Sequence, residues 1–206
     1  LGILGGTFDP PHNAHLILAQ HAYEELDLTR VLFVPVGVPP HKNTTRTSVA
    51  DRVAMLKMVI NDNPHFEMSR VEIDRPGPHY TIDTVRIIQE QNPDAELFFI
   101  MGGDTFRDLP NWDRPQEMFA TCKLAVAVMR RPSQDGSDLR AQMHETVIPG
   151  LEDHTIILNS PLIEISSTDI VERLAQGKSA RYLVPEPVLR YIDAHDLYRT
   201  PAQTRA

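Results

Sequence analysis

The sequence predicts an α/β protein in which a parallel sheet is covered by helices on both faces. Two observations carry that expectation. Short apolar runs alternate with amphipathic ones along the chain, the pattern of strands joined by crossover helices. Pro64, Pro93 and Pro132 fall between these runs, where they punctuate elements and do not break them. Strands are expected near residues 1–5, 31–36, 66–74, 96–101, 124–129 and 155–158, and helices near 15–26, 48–61, 81–91, 114–120, 137–145, 167–176 and 187–195. No internal repeat or low-complexity tract interrupts the series.

Taken in order, Leu1-Gly2-Ile3-Leu4 has the apolar character of a buried strand, and Leu16, Ile17, Ala19, Ala22 and Leu26 recur behind it at helical spacing. Thr81 opens the helix near 81–91 as its N-cap, with Asp83 and Thr84 in the first turn. Gly102-Gly103-Asp104 directly follows the strand near 96–101. Its glycines permit close backbone approach, while Asp104 suits either a helix N-cap or an acceptor for ribose hydroxyls. Ser166-Ser167-Thr168 precedes Ile170 and Leu174 of an amphipathic helix, and one of the three hydroxyls is expected to cap it. Several of these segments directly follow a strand, which places them on the one rim where an open parallel sheet binds ligands.

Length and composition set outer limits. A chain of 206 residues, 41% hydrophobic and 23% charged, is long enough for one well-buried core. Residues 1–198 are read as one domain and 199–206 as a loose tail with little apolar content. The formal charge of −8 and the pI near 5.5 argue against a general nucleic-acid or membrane-surface binder, so any anion site must be local. The lone Cys122 excludes an intrachain disulfide framework and suits the cytoplasm. No apolar stretch approaches a membrane span, and no signal peptide is expected. Because the chain lacks an initiator Met, its numbering is expected to begin a residue or two inside the natural protein.

The chemistry concentrates in Gly5-Gly-Thr-Phe-Asp-Pro-Pro-His-Asn-Ala-His15, between the first strand and the first helix. The first turn of a helix has N–H groups without intrahelical partners and the positive end of the dipole, so anions collect there. Gly5 and Gly6 let the backbone approach a ligand, Thr7 offers a hydroxyl, and Pro10 and Pro11 stiffen the turn. His12 and His15, three apart, can point their rings to one side, donate to phosphate oxygens and, as imidazolium, offset charge developing on them. The turn matches neither the dinucleotide fingerprint nor the P-loop, and no cysteine or carboxylate cluster supports a zinc site. Elsewhere, Gly37-Val-Pro-Pro-His-Lys42 is a stiff loop ending in a compact cation. Trp112, the only tryptophan, sits in a polar, proline-bounded stretch where it can stack on a flat ring or serve as a packing plug. Arg130 and Arg131 follow the strand near 124–129 and remain unassigned.

The run Gly5 to His15 resembles the G-[GS]-[TS]-F-D-P-x-H-x-[GA]-H signature of the H-x-G-H nucleotidyltransferase superfamily, and Ile165-Ser-Ser-Thr-Asp-Ile170 resembles its second motif, I-S-S-T-x-I-R. Pro39-Pro-His-Lys42, Tyr80-Thr-Ile-Asp-Thr84, Gly102-Gly-Asp104 and Leu109-Pro-Asn-Trp112 add a closer likeness to the bacterial nicotinate-mononucleotide adenylyltransferase family. The resemblance implies a Rossmann-like nucleotidyltransferase fold and transfer of the adenylyl group of ATP to nicotinate mononucleotide, without a covalent intermediate. His12 and His15 would be catalytic. ATP would contact Gly5, Gly6, Thr7, Phe8, Gly102 and Asp104, together with Ile165, Ser166, Ser167 and Thr168. The mononucleotide would contact Pro40, His41 and Lys42, then Tyr80, Thr81 and Trp112. Mg2+ would come with ATP, and both partners would be small molecules.

The chain departs from that pattern at two places. Val171 stands where the second motif has arginine, and Arg173, two residues on, would face roughly the opposite side of a helix. Ala14 replaces the glycine of H-x-G-H and keeps the position small. Two other functions share the first motif: another adenylyl or cytidylyl transferase, such as one acting on phosphopantetheine, and a non-catalytic nucleotide-binding sensor.

Overall fold

The computed structural model describes residues 1–38, 45–121, 124–129, 148–161 and 163–199. Pro40, His41, Lys42, Cys122, Arg130, Arg131, Pro132, the helix expected near 137–145 and all but Arg199 of the tail expected over 199–206 lie outside the described residues. Among the described residues six strands form one sheet: β1 (Gly2–Gly6), β2 (Val31–Pro35), β3 (Phe66–Met68), β4 (Leu97–Met101), β5 (Leu124–Met129) and β6 (Thr155–Leu158). The described helices are α1 (Asn13–Glu25), α2 (Val49–Ile60), α3 (Thr81–Gln91), α4 (Gly103–Asp108), α5 (Pro115–Thr121), α6 (Ser167–Ala175) and α7 (Glu186–Ala194). Strand order is β3-β2-β1-β4-β5-β6, and every pairing is parallel. This is the doubly wound arrangement the alternation of elements predicts.

Strand side chains alternate between faces, and both faces are apolar. Ile3, Leu32, Val34, Leu97, Phe99 and Met101 pack with Ile82, Val85 and Ile88 of α3, Phe106 of α4 and Met118 of α5. Leu4, Val31, Phe33 and Ile100 point the other way, onto Leu18 and Ala22 of α1, Met55 and Leu56 of α2, Ile170 and Leu174 of α6, and Val188 and Ile192 of α7. Each large apolar side chain buried in this way contributes about 1.5–3 kcal/mol relative to exposure. A one-residue slip of any central strand would exchange the two sets, so the register is strongly specified.

Two elements differ from the expectation. The strand expected over 66–74 ends at Met68, although Val71-Glu-Ile73 continues the alternation. Its neighbour β2 ends at Pro35, which has no N–H to offer a longer ladder. The chain turns instead, with Asp74 N–H donating to the Arg70 carbonyl at 3.0 Å and Arg70 paired to Asp74 at 2.6 Å. The short helix α4 is absent from the helices expected from periodicity, because six residues are too few for a helical period to show, although a helix N-cap at Asp104 is one reading of that segment.

β1 crosses the sheet centre at close quarters. A β-carbon added to Gly2 would lie 2.8 Å from both Leu28 Cδ1 and Ile100 Cδ1. Both atoms end flexible side chains that can give way in part, so Gly2→Ala should lower stability by about 1 kcal/mol, at the low end of overpacking costs. In a chain of this length each kcal/mol moves the thermal midpoint by about 2–4 °C. Calorimetry of both proteins checks this, and an unchanged or higher midpoint would contradict the packing described.

Candidate active site

The strand order reverses between β1 and β4, so a crevice is expected beyond their carboxyl ends. A cleft of about 1240 Å³ opens there, lined by Gly5, Gly6 and Thr7 from the end of β1 and by Gly102 and Gly103 beyond β4. Sites for one drug-sized ligand occupy roughly 300–1,000 Å³, so this cleft has room for two.

On one flank the turn from Thr7 to His12 is held from several sides. Phe8 adopts φ 50° with its ring fully buried, 5.9 Å from Phe33 and edge-on to His15 at 4.9 Å. The Asp9 carboxylate accepts from the Arg46 N–H, from the Thr47 hydroxyl at 2.7 Å and from the Tyr198 hydroxyl at 2.5 Å. Burial and the Asp9 bond both push the Tyr198 phenol well above its ordinary range. Ser167 donates its hydroxyl to the Pro10 carbonyl at 2.9 Å, and Asn13 N–H bonds the Leu183 carbonyl at 3.0 Å. The guanidinium of Arg52, 1% exposed, donates to the carbonyls of Thr7 and Val36, each at 2.7 Å.

His12 occupies the N-cap of α1, and His15 lies in its first turn. Their rings stack at 3.6 Å with 22° between planes, and both line the cleft. His12 N–H donates to His15 Nδ1 at 3.2 Å, so the proton of a neutral His15 resides on Nε2. His12 Nδ1 is buried with no hydrogen-bond partner among the described residues. Burial pulls His12 down to about 4, and burial with the neighbouring His12 holds His15 well below the ordinary imidazole range. In the free protein both rings are therefore neutral near pH 7. The expected role as imidazolium is confined to a state in which an anion occupies the cleft.

The opposite flank is built from α3 and the segment before it. Tyr80 is the N-cap of α3, and Thr81 is its first residue, not its cap. Thr84 lies one turn further along and also lines the cleft; its hydroxyl donates to Glu72 at 2.6 Å and accepts from Arg75 at 3.0 Å. Burial pushes the Glu72 carboxyl up, against the Thr84 bond and the nearby His79 and Arg75. His79 accepts the Val38 N–H on Nδ1 at 2.9 Å and faces the Arg75 carbonyl with Nε2 at 3.1 Å. Trp112, half-buried, stands edge-to-face on Phe99 at 5.7 Å and 83° and lines the cleft. Its position follows from the 3-10 turn Leu109–Asn111 and from Arg114, which pairs with Asp83 of α3 at 3.0 Å.

The remaining candidates divide. Gly102, not Asp104, caps α4, and a β-carbon at Gly102 would meet nothing within 4 Å, so this backbone is open to a ligand. Asp104 lines the cleft while paired with Arg107. Ile165, Ser166 and Ser167 line the cleft; Ser166 is the N-cap of α6, accepting the Asp169 N–H at 3.1 Å. Thr168 is exposed and outside the cleft lining, and Phe8 belongs to the core. Val171 is buried at 4% exposure, and Arg173 donates to the Ser179 carbonyl at 3.1 Å, so α6 aims no cation at the cleft. Sequence reasoning missed Asp9, Arg52, Glu72, His79 and Thr84. Arg52 left a signal, since it precedes Met55, Leu56 and Val59 by three, four and seven residues, on the apolar stripe of α2.

The strand order, the crevice at its reversal and the histidine-bearing helix start define an α/β protein of the doubly wound class with a cleft suited to an anionic ligand. Residues 3–173 match the family model described as cytidylyltransferase-like. The chain is 45% identical over 201 residues to the protein named "Probable nicotinate-nucleotide adenylyltransferase" of Thermomicrobium roseum, covering 97% of this chain and 92% of that protein. The protein of the same name from a Synechococcus strain is 43% identical over 202 residues, covering 98% and 95%. The chain belongs to the cytidylyltransferase-like family and, within it, to the nicotinate-nucleotide adenylyltransferases. Its fold matches that of the Plasmodium falciparum nicotinic acid mononucleotide adenylyltransferase solved with NaAD, at TM-score 0.73, 20% identity and 96% coverage of each chain.

A histidine whose folded pKa lies below its unfolded value of about 6.5 leaves the unfolded state binding more protons between the two. With His12 near 4, its contribution is fully present above about pH 6.5 and is lost as pH falls toward 4. The drop should be on the order of 3 kcal/mol. Urea unfolding between pH 7.5 and 4.5 checks this: His12→Gln should flatten the slope, and equal slopes in both proteins would contradict a neutral buried His12.

Proposed function

We propose that this chain transfers the adenylyl group of ATP to nicotinate mononucleotide, releasing pyrophosphate and forming deamido-NAD. One observation carries the reading: a single cleft joins a histidine-bearing, phosphate-type helix start to a wall holding Tyr80, Thr81 and Trp112. Both ends of a dinucleotide product therefore have matching surfaces in one space. The names of the relatives support the same reaction.

The acceptor phosphate is already a nucleophile, so no protein base has to activate it. Its oxygen bonds to the α-phosphorus as the bond from that phosphorus to the β-bridging oxygen breaks, and pyrophosphate carries away the electron pair. Rate then comes from holding the two substrates in line and stabilising charge on the α-phosphate and the leaving group. His15 Nε2–H and the His12 ring supply donors on the histidine flank, while Gly102 leaves backbone open for the nucleotide. Once phosphate charge enters the cleft it favours the protonated imidazole, but face-to-face stacking at 3.6 Å opposes charging both rings. Lys42 is proposed to serve the attacking phosphate.

Mg2+ is proposed to arrive on the triphosphate, held by phosphates and water. Among the described residues no group of three or more His, Cys, Asp or Glu side chains could hold a metal ion, and no helix is long and apolar enough to cross a membrane. The cytoplasm is the proposed location, consistent with a single cysteine.

Pyrophosphate release from magnesium-ATP should be fastest with nicotinate mononucleotide in a panel of acceptor phosphates that includes phosphopantetheine. Preference for phosphopantetheine, or no release with any acceptor, would overturn the assignment. Trp112→Ala should weaken pyridine-nucleotide binding far more than ATP binding, and equal losses by calorimetry would count against ring stacking. His15→Ala should cut turnover more than tenfold with the fold intact; near-native turnover in the folded variant would remove its role.

A further inference from the structure

The parallel ladder between β1 and β2 ends at the pair Gly6 and Pro35, closed by a last bond from Val36 N–H to the Gly6 carbonyl at 3.0 Å. Beyond that bond no backbone hydrogen bond among the described residues joins the two segments: Thr7 enters the phosphate-type turn, and Gly37 follows Val36 on the way to Lys42. Both Thr7 and Val36 line the cleft. Strand pairing no longer fixes the distance between the turns at this point. Arg52, from the buried face of α2, spans the gap with Nη1 on the Thr7 carbonyl at 2.7 Å and Nη2 on the Val36 carbonyl at 2.7 Å, with the Gly37 carbonyl at 3.4 Å. A planar fork with two separate nitrogens suits this task, whereas an ammonium is a single compact donor group.

We propose that Arg52 is a positioning residue for the transfer reaction: its guanidinium replaces the missing ladder and sets the separation of the nucleotide turn from the acceptor loop. The inference rests on the adenylyl-transfer reading and adds to it the residue that brings the two substrate sites into register. Each site taken alone keeps its own contacts when the bridge is loosened. What is lost is their mutual alignment, to which in-line transfer is sensitive at the ångström scale. Arg52 itself is buried beneath the turns and is not among the residues lining the cleft, so it acts through the backbone it holds.

The test is Arg52→Lys in the full chain, with turnover measured beside separate calorimetric titrations of a non-hydrolysable ATP analogue and of nicotinate mononucleotide. Turnover should fall at least thirtyfold while each dissociation constant stays within about threefold, and amide hydrogen exchange should quicken at both 5–8 and 36–38. In Arg52→Ala, guanidinium ion at tens of millimolar should restore part of the turnover. Turnover within threefold of native in folded Arg52→Lys would overturn the proposal. So would failure of both variants to fold, since Arg52 would then belong to the general framework. Inactivity of the native chain with every acceptor would refute the reaction instead, and exchange at the two turns would still report on the bridge.

Discussion

A buried guanidinium is costly unless its donors are met, and Arg52 offsets that cost with backbone carbonyls on both terminal nitrogens, while its Nε has no hydrogen-bond partner among the described residues. Burial pulls the Arg52 pKa down while the nearby Asp9 opposes the shift. Asp9 is itself nearly buried and is satisfied by the chain before α2 and by Tyr198 near the C-terminal end of the described chain. Segments as far apart in sequence as Thr7, Val36, Thr47 and Tyr198 thus converge on two opposite charges. Loosening one member leaves another buried and unpartnered, so the network favours a single arrangement, and the cleft is shaped by it.

The histidine pair shows the same economy of charge. Burial, and for His15 also the neighbouring His12, keeps both rings neutral in the free protein, and the N–H that His15 receives from His12 leaves its own Nε2–H as the donor. A site made of neutral donors at a helix start can accept an anion without first dispersing a positive charge of its own. On the proposed reaction, the arriving phosphate would supply the field that makes protonation favourable. Charge stabilisation would then be coupled to occupancy of the cleft.

Much of this was legible in the sequence because it depends on periodicity and on local spacing. Both faces of the sheet are apolar, so the strands read as continuous runs, and His12 and His15 are three apart on a helix start whatever surrounds them. The misses have a common physical origin in contacts between distant segments. That β3 stops at Met68 depends on Pro35 in its neighbour, and that Phe8 turns into the core depends on Phe33 and on a backbone with positive φ. Thr168 falls outside the cleft because the start of α6 turns Ser166 to the cap and Ser167 to the Pro10 carbonyl. Arg52 sat in plain view on an apolar helical stripe, where an arginine signals a buried partner, but the partners are carbonyls that no sequence pattern names.

The proposed transfer depends on positioning: two substrates held in line by fixed turns, with no bond formed to the protein. A single displacement of that kind inverts the configuration at the α-phosphorus, whereas passage through a protein-bound adenylyl group would involve two displacements and retain it. The direct measurement uses ATP made chiral at the α-phosphorus with sulfur, followed by stereochemical analysis of the dinucleotide product. Inversion is the predicted result. Retention would require a covalent intermediate and would contradict the account at its centre.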